Sequence, residues 1–154
     1  MWERLRRFRE LPAPARGIFL RAGMLLPLVA WKLKRLGFQA TRKSLLQSPS
    51  KESNSLNEVE SAERAALTAR MVRAAARRGI GNPSCLEESL VLLHLLARQG
   101  IAAQLRIGVK KNVAKFEAHA WVECGGVALN ESESLHDHYA QFEAEFSSLP
   151  RAES

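Results

Sequence analysis

Between Ser84 and Gly100 the chain carries a segment with few ways to fold. Leu86, Leu90, Leu93 and Ala97 form one helical stripe, and Val91, Leu92, Leu95 and Leu96 widen it nearly all round. A helix this apolar has almost no face to offer water, so it runs through a core with other elements packed around it. Gly100 closes it. Its start has two readings. With Ser84 as N-cap, Glu87 completes a Ser-x-x-Glu capping box and Cys85 is the first helical residue. With Asn82 as N-cap, Pro83 takes the favoured first position. Under either, the Cys85 sulfur sits in the first turn, where unpaired N–H groups and the helix dipole favour an anion.

The neighbours of this helix are also legible. Asn57 or Ser61 can cap a helix running to about Arg78, with Val59, Ala62, Ala66, Ala69, Val72 and Ala76 on its inner face and Gly79-Ile80-Gly81 at its end. Downstream, Ala103 to Val109 alternates like a strand, and Phe116 to Glu123 and Val127 to Asn130 form a hairpin around Gly125-Gly126. Helices followed by antiparallel strands predict an α+β domain, with the Cys85 helix packed on a small sheet. A chain of 154 residues has room for one such core. Residues 1–39 read as a basic helical extension, with breaks at Leu11-Pro12-Ala13-Pro14 and Gly37 and a kink at Pro27. Residues 40–57 read as a Ser-rich connector, 58–135 as the core and 136–154 as a C-terminal tail.

Charge and composition narrow the function. Residues 1–48 hold eleven Lys/Arg against two acids, within a chain of formal charge +7. That basic third invites nucleic acid, but no zinc-finger spacing, RNP-like aromatic motif or clear helix-turn-helix accompanies it. The expectation is an acidic protein or peptide partner and no nucleic acid. Ile18 to Trp31 is apolar but contains Arg21 and Pro27 and falls short of the ~20 residues a spanning helix needs. It reads as a core or interface segment and not a transmembrane one, with peripheral membrane contact as the second reading. Two cysteines 39 positions apart make neither a disulfide framework nor a CxxC pair, which points to a reducing compartment, the cytoplasm. His136-Asp137-His138 reads as a solvated tail, and no glycine-rich phosphate loop occurs, so neither metal nor cofactor is expected.

His119 supplies the second half of a thiol catalyst. It alternates with Trp121 and Glu123 on one strand face, leaving Ala118, Ala120, Val122 and Cys124 on the other. An imidazole beside the Cys85 helix can take the thiol proton and return it to a leaving amine. Trp121 would wall the site, and the Cys85 N–H would stabilise an oxyanion with Asn82 as a weaker second donor. The third residue depends on hairpin register. A two-residue Gly125-Gly126 turn sets Trp121 opposite Asn130, whereas a three-residue Cys124-Gly125-Gly126 loop sets His119 opposite Glu131. The three-residue register is preferred, with Glu131 orienting the imidazole, Asn130 as fallback and Glu123 a poorer choice. Cys124 and His94 are expected to be structural.

Cys85-Leu86-Glu87-Glu88-Ser89-Leu90, Leu95-Leu96-Ala97-Arg98-Gln99-Gly100-Ile101, Ile107-Gly108-Val109 and His119-Ala120-Trp121-Val122-Glu123 occur in that order. The chain thereby resembles the B-type leader peptidases of lasso peptide biosynthesis, which are transglutaminase-like cysteine proteases. The resemblance covers residues 55–131 well and the basic N-terminal zone loosely. It implies a papain/transglutaminase-like core whose Cys and His fall on Cys85 and His119. The family's Asp falls on Glu131, a carboxylate one methylene longer. It also implies cleavage of a ribosomally made precursor peptide, with an ATP-dependent, asparagine-synthetase-like cyclase closing the ring afterwards. Leader recognition in that family belongs to a small winged-helix-like domain, for which this chain has no room. The expectation is therefore a split form acting with a separate leader-binding protein, docked on the basic N-terminal zone. A transglutaminase-like acyl transferase and a non-catalytic peptide-binding scaffold are the alternatives.

Overall fold

The computed structural model describes residues 6, 9–47, 57–79, 81–110, 118–130, 139–141 and 146–147. Among the described residues, the three long helices α1 (Ala13–Leu46), α2 (Glu58–Arg78) and α3 (Cys85–Arg98) precede five short strands. These are β1 (Gln104–Lys110), β2 (Ala118–Cys124), β3 (Val127–Ala128), β4 (Tyr139–Gln141) and β5 (Phe146–Ser147). The sheet runs β3-β2-β1-β4 with β5 also on β1, and every pairing is antiparallel. The α+β expectation holds.

Helix α3 is the centre of the molecule. Every residue from Ser89 to Ala97 is buried, and Leu90 to Leu93, Leu95 and Leu96 share one apolar cluster with α1, α2 and the sheet. Ala120 and Val122 of β2 and Leu105 of β1 meet it from the sheet side. Ala22, Leu26, Val29 and Leu45 of α1 and Ala65, Ala69, Val72, Ala75 and Ala76 of α2 complete that cluster. Burying a Leu or Val is worth about 1.5–3 kcal/mol each, so this helix supplies a large share of the driving force.

Helix α2 is capped as expected, with Asn57 Oδ1 accepting from Glu60 N–H at 2.8 Å. Its inner face is turned relative to the expectation. Ala69, Val72 and Ala76 are buried together with Ala65 and Thr68, while Val59 is 67% exposed and Ala62 and Ala66 also face solvent. A face made mostly of alanine gives the hydrophobic pattern little contrast, and the true stripe lies one position away.

Helix α1 differs in two places. It begins after Pro12 with Pro14 in its first turn, as expected, but runs on through Pro27. The break at Gly37 is the expected one, with a φ of 78° that only glycine adopts freely. Beyond it the helix resumes to Leu46, burying Thr41 and Leu45, so residues 40–46 are helical and not part of a connector. The buried His94 ring fixes this end, its Nδ1 lying 2.6 Å from the Leu45 carbonyl. Burial holds that imidazole below the usual histidine range, so it is neutral and donates through Nδ1. At the other end of the chain, residues 139–141 and 146–147 pair with β1 and so are part of the sheet, not of a tail.

Candidate active site

Ser84 decides the first question about Cys85. It is the N-cap, with φ −71° and ψ 161°, and both halves of the capping box form. Glu87 N–H donates to Ser84 Oγ at 3.3 Å, and Ser84 N–H donates to Glu87 Oε2 at 2.8 Å. Asn82 is therefore not the cap; it stands exposed ahead of the helix. The Ser84 hydroxyl and the Glu87 carboxylate satisfy both free donors at once, which Asn82 with Pro83 has no matching glutamate to do. Cys85 becomes the first residue of α3, half-buried, with its own N–H free of any acceptor inside the helix.

Strand β2 brings His119 to that sulfur. The Cys85 thiol and the His119 imidazole are hydrogen-bonded side chain to side chain, and this contact is the main cause of a thiol pKa below the ordinary value. Burial pushes the other way. Backbone N–H groups of Ala120 and Leu86 also point at the sulfur and favour the thiolate. The sulfur thus faces donors from its own helix turn, from the strand and from the imidazole.

The alignment of β2 against α3 is held by side chains rather than by another strand. Ser89, one turn after Cys85, donates its hydroxyl to the Ala120 carbonyl at 3.0 Å. Ala120 is therefore gripped at its C=O by Ser89 while its N–H serves Cys85. Asn130 Nδ2 donates to Ser89 Oγ at 2.9 Å, and Asn130 Oδ1 accepts from Val122 N–H at 2.8 Å. Both ends of the Asn130 amide are used in tying the return strand to β2 and α3. That is a different role from the fallback as orienter of His119.

The hairpin takes the two-residue turn. Cys124 pairs with Val127 and Glu123 with Ala128. Gly125 and Gly126 have φ 57° and 80°, the pair of positive values that a type I′ turn requires and that two glycines meet without strain. The preferred three-residue loop needs only one such residue and leaves the second glycine unused. The register that set Glu131 opposite His119 is thus not the one formed, and Glu131 itself lies outside the described residues.

On the opposite face of β2, His119, Trp121 and Glu123 form a row. The His119 and Trp121 rings stack with centroids 6.1 Å apart and planes 17° apart. Trp121 is buried, and its indole N–H donates to Glu123 Oε1 at 3.0 Å. Arg106, across the ladder on β1, donates to Glu123 Oε2 at 3.1 Å. Glu123 is committed to Trp121 and Arg106, so its place in the row is to brace the tryptophan that stacks on the imidazole.

Cys124, at the far end of β2, donates its S–H to the Ala102 carbonyl at 3.4 Å, and burial raises its pKa. No group of three or more metal-ligating side chains occurs among the described residues, and His136-Asp137-His138 lie outside them. Sequence reasoning brought Cys85, His119 and Trp121 to one place but missed Ser89, the Ala120 backbone and Arg106. Ser89 had a signal: a serine one helical turn after the cysteine, entering an otherwise apolar run.

A half-buried thiol on a helix N-terminus, hydrogen-bonded to a strand imidazole, can serve as a nucleophile with its base. The transglutaminase-like superfamily profile matches residues 24–144. The chain belongs to the transglutaminase-like superfamily. That match starts inside α1 and ends beyond β4, so the helical N-terminal segment is in part integral to the domain. A cysteine protease or an acyltransferase fits this superfamily. No curated protein and no solved structure matches the chain.

Proposed function

We propose that the protein is a cysteine peptidase that removes the leader from a ribosomally made lasso peptide precursor. It would act in the cytoplasm with a separate leader-binding protein, ahead of an ATP-dependent cyclase. The observation that carries the chemistry is the Cys85–His119 hydrogen bond at the first residue of α3. His119 takes the thiol proton, and the Cys85 sulfur attacks the scissile carbonyl. The resulting oxyanion lies near the Cys85 N–H. His119 returns the proton to the departing amine of the core peptide, leaving a thioester on Cys85. Water, deprotonated by His119, then releases the leader carboxylate and the thiol. Glu131 is the residue that the resemblance offers as orienter of His119. The substrate class rests on the ordered motifs from Cys85 to Glu123, while the superfamily match supports the thiol chemistry alone.

The test is to incubate the full chain with a candidate precursor, with and without the leader-binding protein, and to read masses. Two fragments that together gain one water are expected. A conjugate that has lost ammonia would identify an acyl transferase instead. An unchanged precursor in the presence of the leader-binding protein would overturn the peptidase reading.

A further inference from the structure

Five of the seven large apolar side chains exposed among the described residues belong to α1: Leu20, Met24, Leu28, Trp31 and Leu36. At 3.6 residues per turn, the first four fall within an arc of about 80° and make a straight ridge. Met24 is 70% exposed and Trp31 54%. The opposite side of the same helix is spent on the core through Ala15, Ala22, Leu26 and Val29. Exposed basic residues border the ridge, with Arg21 on one side, Lys34 on the other and Arg35 one turn beyond Trp31 at its end. From Ala13 to Leu46 there are seven Lys/Arg and no acid. The helix is long and apolar enough to cross a membrane, yet only 22% of its most apolar window is buried.

We infer that this ridge is a membrane-surface contact, by which the folded domain lies on an anionic bilayer with α1 in the plane of the interface. The buried side of α1 covers α2 and α3, so the helix lies on the membrane and does not thread it. Leucine, methionine and tryptophan enter the acyl boundary while arginine and lysine at the borders reach lipid phosphates. Three rival occupants fit less well. A second copy would bring two acid-free basic helices face to face. A protein partner ordinarily exchanges about ten hydrogen bonds across its interface, and apart from the bordering arginines and lysine the ridge offers one side-chain donor, the Trp31 indole. A bilayer asks for no such bonds and no groove, and the ridge is convex. The basic zone read from sequence as a partner surface is thereby assigned to lipid. The inference does not rest on the peptidase reading.

The experiment is sedimentation of the full chain with vesicles of equal phosphatidylglycerol and phosphatidylcholine, and with phosphatidylcholine alone. Binding is expected on the anionic vesicles, weakening with salt, and little on the neutral ones. Met24→Asp should lower the apparent affinity about tenfold while leaving the melting temperature unchanged, because a charge replaces an inserted side chain. Should Met24→Asp fail to fold, Arg21→Glu with Arg35→Glu replaces it and should give a similar loss. No binding to the anionic vesicles overturns the inference and returns the ridge to an acidic protein partner. Binding unaffected by either variant overturns it as well, as does lipid-free self-association that Met24→Asp abolishes without any lipid affinity in the parent.

Discussion

Strand β2 serves the two thiols of this molecule in different ways, one near each of its ends. Cys124 sits on β2 itself, half-buried, with one carbonyl to receive its S–H. Cys85 is also half-buried, but β2 brings it the His119 imidazole and the Ala120 N–H. Burial acts on both sulfurs in the same sense, raising the pKa because a thiolate loses water. The partners differ: an acceptor at Cys124 favours the thiol, and donors at Cys85 favour the thiolate. Depth in the protein therefore decides neither sulfur's chemistry. The hydrogen-bonding partner does.

The strongest way to break that contrast is to remove the imidazole. In the parent, iodoacetamide should label Cys85 at a pH where Cys124 stays unreacted, because the thiolate is the nucleophile and only Cys85 is shifted down. His119→Ala deletes the leading cause of that shift and leaves burial opposed only by the N–H donors. The midpoint of Cys85 labelling should then move to higher pH and approach that of Cys124. If a peptide substrate is in hand, turnover should fall about 10³-fold or more for His119→Ala and for Cys85→Ala, and change little for Cys124→Ala. A Cys85 labelling profile that does not move in His119→Ala would show that the two side chains do not share a proton.

A smaller effect should follow from loosening the grip on Ala120. Ser89→Ala leaves the Ala120 carbonyl and the Asn130 amide without their shared partner in a buried place. Such groups cost about 1–3 kcal/mol of stability. The same substitution should also reach the thiol. Ala120 N–H loses its fixed aim at the sulfur, so Cys85 labelling shifts to higher pH by less than in His119→Ala. Lower stability with an unmoved labelling profile would make Ser89 a packing residue only.

How far this contrast could be read in advance depends on the range of the interactions. The position of Cys85 was legible because the capping box is local, with Ser84 and Glu87 three residues apart. His119 was legible because strand alternation assigns faces two residues at a time. The hairpin register was not, because either turn satisfies the alternation of Val127 and Leu129, and the choice rests on the backbone conformations of Gly125 and Gly126. The role of Asn130 followed the register and was missed with it. The helix from Phe38 to Leu46 was obscured by Lys43, Ser44 and the serines that follow at 48 and 50, although Thr41 and Leu45 are spaced to bury on one face. Ser89 meeting Ala120 across 31 residues is a tertiary contact that no window of local pattern contains.

The smallest change tests the Cys124 side of the comparison. Cys124→Val replaces the sulfur with a side chain of similar size that suits a strand, and removes one weak S–H donor at 3.4 Å. The Ala102 carbonyl that loses this donor lies at an exposed residue, where water can replace it. Stability should therefore change by less than about 1 kcal/mol in a denaturant titration. The Cys85 labelling profile should not move, since the causes of its shift lie at His119, Ala120 and Leu86 and not at Cys124. A shift in Cys85 reactivity on Cys124→Val would mean that β2 transmits strain from one thiol to the other, and the two could no longer be treated as independent sites.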